Sequence, residues 1–265
     1  MSKLLKLGAS GVDVTRLQEA LIAKGFNVGK VDGSFGNGTE AAVRGYQHSE
    51  GLTIDGVVGA VTLQKLGIAE STDKRPDNRN VFTIDAVATM FPFTPKANIA
   101  ANLPCVLAGL AKFDLVDAKM VLMALSTIRA ETESFLPVLE GISKYNTSPN
   151  GRPYDLYDNR KDIGNRGVGE GARFAGRGYI QLTGRDNYTR YGKIIGVDLV
   201  SNPEKACDKD TAGLLLATFL KGNEPKIKTA LVEGDLRYAR RLVNGGSHGI
   251  DRFTDAYNRG LKLIK

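Results

Sequence analysis

The chain has 265 residues, of which 42% are hydrophobic and 25% are charged, a composition typical of folded globular proteins. This length exceeds that of one average domain, so we expect two domains. The formal net charge of +7 favours an anionic partner. The sequence has no dense basic stripe interleaved with aromatic residues and no zinc-finger or helix-turn-helix pattern, which argues against nucleic acid.

No apolar run reaches the roughly 20 residues that a membrane-spanning helix needs, and the N-terminus lacks the pattern of a secretory leader. We therefore expect no stable membrane association and synthesis in the cytoplasm. Cys105 and Cys207 fit neither a disulfide framework nor a metal motif, and the two histidines, His48 and His248, are too few for a typical zinc hydrolase site. The sequence predicts no metal and no cofactor.

The first predicted helix spans residues 12–24, where apolar residues recur at helical spacing and Gly25 follows at the expected end. Its apolar positions are Val14, Leu17, Leu21 and Ile22.

A short duplication follows this helix. Residues 32–39 (DGSFGNGT) are repeated as residues 55–62 (DGVVGAVT). Each copy predicts a tight turn at Asp-Gly and a helix whose start Thr can cap, over residues 39–49 and 62–66. The three helices together predict a compact bundle.

The order of these segments resembles the three-helix peptidoglycan-binding domain found at the ends of many cell-wall hydrolases. The resemblance covers residues 1–67 and implies bacterial peptidoglycan as the partner. We expect the wall contact in the groove beside the second copy and the helix that bears Arg44, Tyr46 and Gln47. Asp32 and Asp55 are further candidates for wall contact, although Asp-Gly pairs more commonly build turns.

Residues 68–80 (IAESTDKRPDNRN) are polar and broken by Pro76, which predicts an exposed linker. A second domain is then expected over residues 81–265. Its apolar residues recur at spacings of three and four, so the fold class is mainly α.

One helix of this domain carries the first candidate acid. It is predicted to begin after Asp117 as N-cap, and Glu131 falls at the edge of the apolar stripe formed by Val121, Ala124, Leu125 and Ile128. A half-buried carboxyl group there suits a general acid, because burial disfavours the charged form. Glu133 points elsewhere on a helix and is interpreted as a solvated charge.

Glu140 is the second candidate carboxylate. Pro137 interrupts the helix, so the segment from Pro137 to Tyr145 can fold back and bring Glu140 opposite Glu131. Paired carboxylates across a cleft are what glycoside hydrolysis requires.

Residues 175–188 (AGRGYIQLTGRDNY) combine glycines that permit close backbone approach with amide and hydroxyl groups suited to sugars. Together with AETESF upstream and LVNGG at residues 242–246, this segment resembles glycoside hydrolase family 19, in its bacteriophage endolysin branch. The resemblance implies a lysozyme-like and chitinase-like helical catalytic domain that hydrolyses the β-1,4 glycan backbone of peptidoglycan with inversion.

The resemblance also implies roles for individual residues. Glu131 would be the general acid, Glu140 the general base and Thr183 the hydroxyl that positions water. Inversion requires carboxyl groups about 6.5 to 9.5 Å apart. The residues expected to bind substrate or support the cleft are Gln181, Asn187, Asn244, Tyr145, Arg177 and Tyr179.

Two departures from the family pattern favour peptidoglycan over chitin: Ala130 stands where His often precedes the acid, and Tyr179 stands where plant chitinases have Pro. The base remains open among Glu140 and the acidic residues of the glycine-rich segment, although Arg160 and Asp162 are also expected to brace that loop. The chain has no Trp, so sugar stacking would depend on tyrosines. The acidic alternatives are Asp155, Asp158, Asp162 and Glu170, and the tyrosines are Tyr145, Tyr154, Tyr157 and Tyr179.

Three other functions stay open: a lytic transglycosylase or chitinase, a peptidase or amidase with a Cys nucleophile, and a wall-binding protein without activity. Cys105 lies in an apolar segment and neither cysteine has a nucleophile pattern, which disfavours the second. For an endolysin made in the host cytoplasm and acting on the wall, we expect a holin-type release partner and a monomeric chain.

Overall fold

The computed structural model describes residues 4–68, 77–244, 246 and 249–264. The chain divides into two compact units, Met1–Lys74 and Arg75–Lys265. Within the described ranges, no helix is both long and apolar enough to cross a membrane.

The middle of the predicted linker, residues 69–76, lies outside the described residues. Its two ends belong to the units. Ile68 packs on the core of the N-terminal unit, whereas Asn78 donates its backbone N–H to Val116 O and accepts from Ala118 N through its side chain. The linker prediction for residues 68–80 is therefore too long at both ends.

The N-terminal unit has three helices, α1 (Val12–Ala23), α2 (Asn37–Ser49) and α3 (Ala60–Lys65). Gly25 follows α1 with a φ of +87°, as its position after the helix predicts. Ile22 is exposed, whereas the other three apolar positions of α1 are buried. The core of the unit contains Val14, Leu17, Leu21, Phe35, Val43, Tyr46 and Val58.

The predicted capping by Thr39 and Thr62 is wrong. Helices α2 and α3 have Gly36 and Gly59 as N-caps, without a side-chain cap. Both threonines lie inside the helices and are buried, and the Thr39 hydroxyl accepts a hydrogen bond from Gln18.

In the part of the chain described, the C-terminal unit contains helices, the loops that connect them and a two-stranded sheet. Strand β1 (Val138–Leu139) pairs antiparallel with β2 (Arg177–Gly178), with Val138 opposite Gly178. The helices are α4 (Ile84–Met90), α5 (Lys96–Lys112), α6 (Ala118–Glu131), α7 (Glu170–Arg173), α8 (Arg185–Ile195), α9 (Lys209–Gly222), α10 (Glu224–Glu233), α11 (Leu236–Asn244) and α12 (Ile250–Leu261).

Helix α6 is the central element of this unit. Asp117 caps it by accepting a hydrogen bond from Met120 N, as predicted. Every residue from Met120 to Ala130 is buried, so the helix is covered on all sides, not only along the predicted stripe. The helix ends at Glu131, which places this carboxylate where the core opens.

The chain reverses after α6 through left-handed backbone at Glu133 and Phe135, with φ values of +48° and +59°. It then enters β1, and Glu140 follows directly, donating its N–H to Gly176 O. The sheet therefore fixes Glu140 beside the segment that contains β2.

Candidate active site

A cleft of about 710 Å³ lies at the end of α6. Glu131 lines it together with three polar residues that the sequence singled out, Gln181, Thr183 and Asn187. Four candidate site residues from two distant segments thus share one cavity.

The Glu131 side chain is held by a buried arginine. Arg240 on α11 donates through Nη2 to Glu131 Oε1 at 2.6 Å. Arg240 is 0% exposed and Glu131 is 12% exposed at the side chain.

The three polar residues of the cleft are fixed by the backbone around them. Gln181 adopts left-handed backbone with a φ of +52°, an unusual conformation for a residue with a side chain. Its amide donates to Val138 O and Gly178 O. The Thr183 hydroxyl donates to Gln181 O at 2.8 Å, and Asn187 donates to Thr183 O at 2.8 Å. The oxygen lone pairs of Thr183 can therefore accept from a water molecule.

Glu140 is surrounded by neutral donors. Its Oε1 accepts from Gly176 N at 2.5 Å, and its Oε2 accepts from Asn146 and from the Tyr157 hydroxyl, each at 3.2 Å. Burial and the charge of Glu140 raise the pKa of Tyr157 to about 12, so this hydroxyl keeps its proton near neutral pH. These donors hold the Glu140 carboxyl group in a fixed position.

Gly176 connects Glu140 to the cleft. A Cβ at this position would lie 3.0 Å from Glu140 Oε1 and 3.1 Å from Gln181 Oε1. The Glu140 carboxylate and the cleft residue Gln181 therefore converge on the space beside Gly176.

Glu133 is 41% exposed at the side chain, as the interpretation as a solvated charge predicts, but it is also ion-paired. It pairs with Arg129, and Arg252 donates to its Oε2 at 3.0 Å. Burial raises the pKa of Glu133, but the hydrogen bonds from the two arginines outweigh it and the pKa is lowered.

The acidic alternatives to Glu140 brace loops. Asp155 accepts hydrogen bonds from Ser148. Asp158 accepts from the backbone N–H groups of Gly169 and Gly171. Asp162 pairs with Arg160, as the bracing interpretation predicts. Glu170 pairs with Arg185, whose hydrogen bond lowers the pKa of this carboxyl.

Two predicted substrate contacts are wrong. Tyr179 is fully buried, and its hydroxyl donates to Asn102 Oδ1 at 3.1 Å. Arg177 Nη1 donates to Arg173 O, Ala175 O and the Tyr188 hydroxyl. Its guanidinium therefore stabilises the backbone that precedes β2. The prediction failed for Tyr179 because its partner Asn102 lies 77 positions away in the sequence, and it failed for Arg177 because nearby backbone oxygens and the Tyr188 hydroxyl bind its guanidinium.

Other predicted contacts have mixed outcomes. Tyr145 is 77% exposed on the loop that follows Glu140, and it is not among the residues that line the cleft. The Tyr154 hydroxyl donates to Glu140 O at 2.6 Å, so this residue supports Glu140 instead of forming a stacking surface. The backbone of Asn244 belongs to α11, but its side chain lies outside the described residues.

The residues that sequence reasoning missed include Arg240 and an aromatic wall of the cleft. Tyr191 and Phe219 stack with ring centroids 5.0 Å apart, and both line the cleft. Arg240 could have been found, because Leu236, Ala239 and Val243 form an apolar stripe on α11 that includes its position.

In the N-terminal unit, the duplicated turns are held by two buried glutamines. Gln18 accepts from Gly33 N at 2.9 Å and donates to Asp32 Oδ1 at 3.2 Å. Gln47 accepts from Gly56 N at 2.9 Å and donates to Asp55 Oδ1 at 2.8 Å. We call these the glutamine-held turns.

The glutamine-held turns correct several predicted wall contacts. Tyr46 and Gln47 are each 1% exposed, so the prediction that they touch the wall is wrong. Asp32 and Asp55 are exposed but accept from backbone N–H groups of their own turns, at Ser34 and Val57, as turn-building residues do. Arg44 is half-exposed, pairs with Glu40 and donates to Ile54 O, and it stays a candidate for wall contact.

Comparison with protein families matches residues 10–66 to the model described as a putative peptidoglycan binding domain. Among curated proteins, a spore cortex-lytic enzyme of Bacillus cereus is 40% identical over 105 residues, which are 39% of this chain and 40% of that enzyme. A glycosyl hydrolase family 19 domain-containing protein of Haemophilus influenzae is 33% identical over 123 residues, 43% of this chain and 54% of that protein. This chain thus spans less than two thirds of either relative.

Among solved structures, chitinase C from Streptomyces griseus HUT6037 gives a TM-score of 0.49 at 18% identity, covering 69% of this chain and 76% of that chain. At this TM-score the likeness carries no argument about activity.

Proposed function

We propose that this chain is a cell-wall hydrolase of the endolysin type, with a module that holds bacterial peptidoglycan and a catalytic unit that hydrolyses the β-1,4 bonds of its glycan. The observation that carries the proposal is the grouping of Glu131 with Gln181, Thr183 and Asn187 in one cleft.

Glu131 is proposed as the general acid that protonates the leaving glycosidic oxygen. Arg240 occupies its Oε1, which leaves Oε2 as the oxygen that carries the proton into the cleft. Its place at the end of a fully packed helix holds the carboxyl group in a fixed orientation, as acid catalysis requires.

Glu140 is proposed as the general base, and the acidic residues that brace the loop are less suited to that role. The hydrogen bonds from Gly176, Asn146 and Tyr157 hold its carboxyl group in a fixed position. A water between Glu140 and the sugar would donate hydrogen bonds to the carboxylate and to the Thr183 oxygen, and would lose one proton to Glu140 as its oxygen attacks the anomeric carbon. Attack from the face opposite the acid inverts the anomeric carbon, and room for this water requires carboxyl groups about 6.5 to 9.5 Å apart.

Peptidoglycan is proposed as the substrate because residues 10–66 match the peptidoglycan-binding model. The net charge of +7 also favours the anionic bacterial envelope. Muramidase specificity, synthesis in a phage host's cytoplasm, a monomeric state and passage to the wall through a holin-type partner belong to the same proposal.

The deciding experiment is mass spectrometry of purified peptidoglycan digested in water enriched in ¹⁸O. Hydrolysis by the wild-type chain will release fragments with a labelled reducing end, and the terminal sugar, muramic acid or glucosamine, identifies the bond cut. NMR of the first product anomer will show inverted configuration.

Three outcomes would contradict the proposal. Unlabelled anhydro sugars would indicate a lytic transglycosylase, and faster cleavage of chitin oligomers than of peptidoglycan would indicate a chitinase. Sedimentation with the wall but no fragment release would indicate a binding protein.

A further inference from the structure

Two arginines line the cleft beside the proposed catalytic residues. Arg190 lies on α8 and Arg241 on α11, and both are exposed. Aromatic rings support them: the Arg190 guanidinium lies 5.5 Å from the Tyr191 ring centroid, and that of Arg241 lies 5.7 Å from the Tyr238 centroid. The lining of the cleft therefore includes two exposed positive charges.

Neither guanidinium is neutralised by the protein as far as the structure describes it. Across residues 4–68, 77–244, 246 and 249–264, no carboxylate lies within salt-bridge distance of Arg190 or Arg241. Their neighbours along the two helices behave differently, since Arg185 pairs with Glu170 and Arg240 pairs with Glu131. Among the described residues, the two exposed arginines of the cleft thus have no carboxylate partner, whereas the buried Arg240 pairs with Glu131.

A neutral glycan offers these cations only hydroxyl and acetamide groups. Peptidoglycan differs chemically, because its muramic acid units carry short peptides with free carboxylates. A guanidinium is planar and presents paired N–H donors that match a carboxylate. An anionic group attached to the glycan beside the cleaved bond would therefore complement this side of the cleft.

We propose that Arg190 and Arg241 bind carboxylates of the stem peptides, so that the cleft selects peptide-bearing glycan over neutral glycan. This inference rests on the proposed function and extends it to substrate specificity. The contact is made by exposed charges, so each arginine contributes a modest and salt-sensitive part of the selectivity.

The test compares soluble glycan fragments that carry their stem peptides with the same fragments after the peptides have been removed. The ratio of kcat/KM for the two substrates is measured for the wild-type chain, R190Q, R241Q and the double variant. We expect the wild type to prefer the peptide-bearing fragment and each single substitution to lower that preference about two- to fivefold, mainly through KM. Raising the salt concentration should lower the wild-type preference as well.

The matched control is R237Q. Arg237 is an exposed arginine on the same helix as Arg241, but it lines a separate depression with Asp235 and Asp251. Its substitution removes the same charge and should leave the substrate preference within the error of the measurement.

The outcomes separate this inference from the function on which it rests. If the wild type cleaves both fragments and the cleft variants lose rate equally on both, the inference is overturned while the glycosidase proposal stands. If the wild type cleaves neither fragment, the proposed function fails and the inference falls with it.

Discussion

The glutamine-held turns of the N-terminal unit and the cleft of the C-terminal unit use similar side chains for opposite purposes. Gln47 is buried, and its side-chain amide binds the Asp55-Gly56 turn. Gln181 donates to backbone oxygens but still lines the cleft. A repeated polar motif can therefore serve folding alone. Substitutions in the turns should therefore lower stability, and those in the cleft should lower activity.

The largest expected effect belongs to the proposed acid. Glu131→Gln removes the proton donor and should lower kcat on peptidoglycan fragments about 10³-fold, within the range for general acid catalysis. The matched control is Glu133→Gln, which removes an ion-paired carboxylate two positions away and should keep kcat within about threefold of wild type. Equal losses for the two variants would contradict the assignment of Glu131.

The proposed base should give the next largest effect. Glu140→Ala should lower kcat about 10²-fold, the lower end of the range for acid-base groups, because neutral donors still surround the site. Added azide should restore turnover by attacking the sugar without a base, and a glycosyl azide should appear by mass spectrometry.

A bracing residue provides the control for that experiment. Asp162→Ala should keep its rate, and azide should not change it, because Asp162 pairs with Arg160 on the loop. If azide accelerates Asp162→Ala instead of Glu140→Ala, the base has been misassigned.

The glutamine-held turns should respond in stability. Gln18→Ala and Gln47→Ala each leave buried backbone groups without partners and should lower the free energy of unfolding of the N-terminal unit by about 2 kcal/mol. Hydrogen exchange of the full-length chain measures the effect unit by unit. Gln64→Ala, at an exposed position of α3, should change it by less than about 0.5 kcal/mol.

Cleavage of soluble fragments by these turn variants completes that test. We expect wall sedimentation to weaken while fragment cleavage continues, because the catalytic unit keeps its cleft. Loss of fragment cleavage without loss of stability would contradict the expectation that the turns serve stability and the cleft serves activity.

The smallest effect concerns pH. The hydrogen bond from Arg185 lowers the pKa of Glu170 from its usual value, so this pair stabilises the fold above the unfolded pKa of about 4.5, and the contribution is lost as pH falls through the folded pKa. Glu170→Gln should lower stability by about 1 kcal/mol at pH 7. Thermal unfolding at several pH values should show the difference from wild type shrinking in acid, and a constant difference would contradict the pairing.

Local sequence determined much of the fold. Asp117 caps α6 and Gly25 ends α1 because capping and left-handed turns depend on a few adjacent residues. The duplicated Asp-Gly turns were also predicted from the sequence. In the structure, their glycines Gly33 and Gly56 share a φ of +70°.

Tertiary structure decided which of the polar and aromatic candidates face a ligand. Tyrosine is a residue type that often contacts ligands, but Tyr46 and Tyr179 are both buried by the packing of the folded chain. The apolar stripe of α11 indicates that Arg240 is buried, but only the fold shows that it pairs with Glu131 at the end of α6. Periodicity and turn chemistry act over a few residues, whereas ion pairing joins residues up to 119 positions apart, and only the folded chain brings those together.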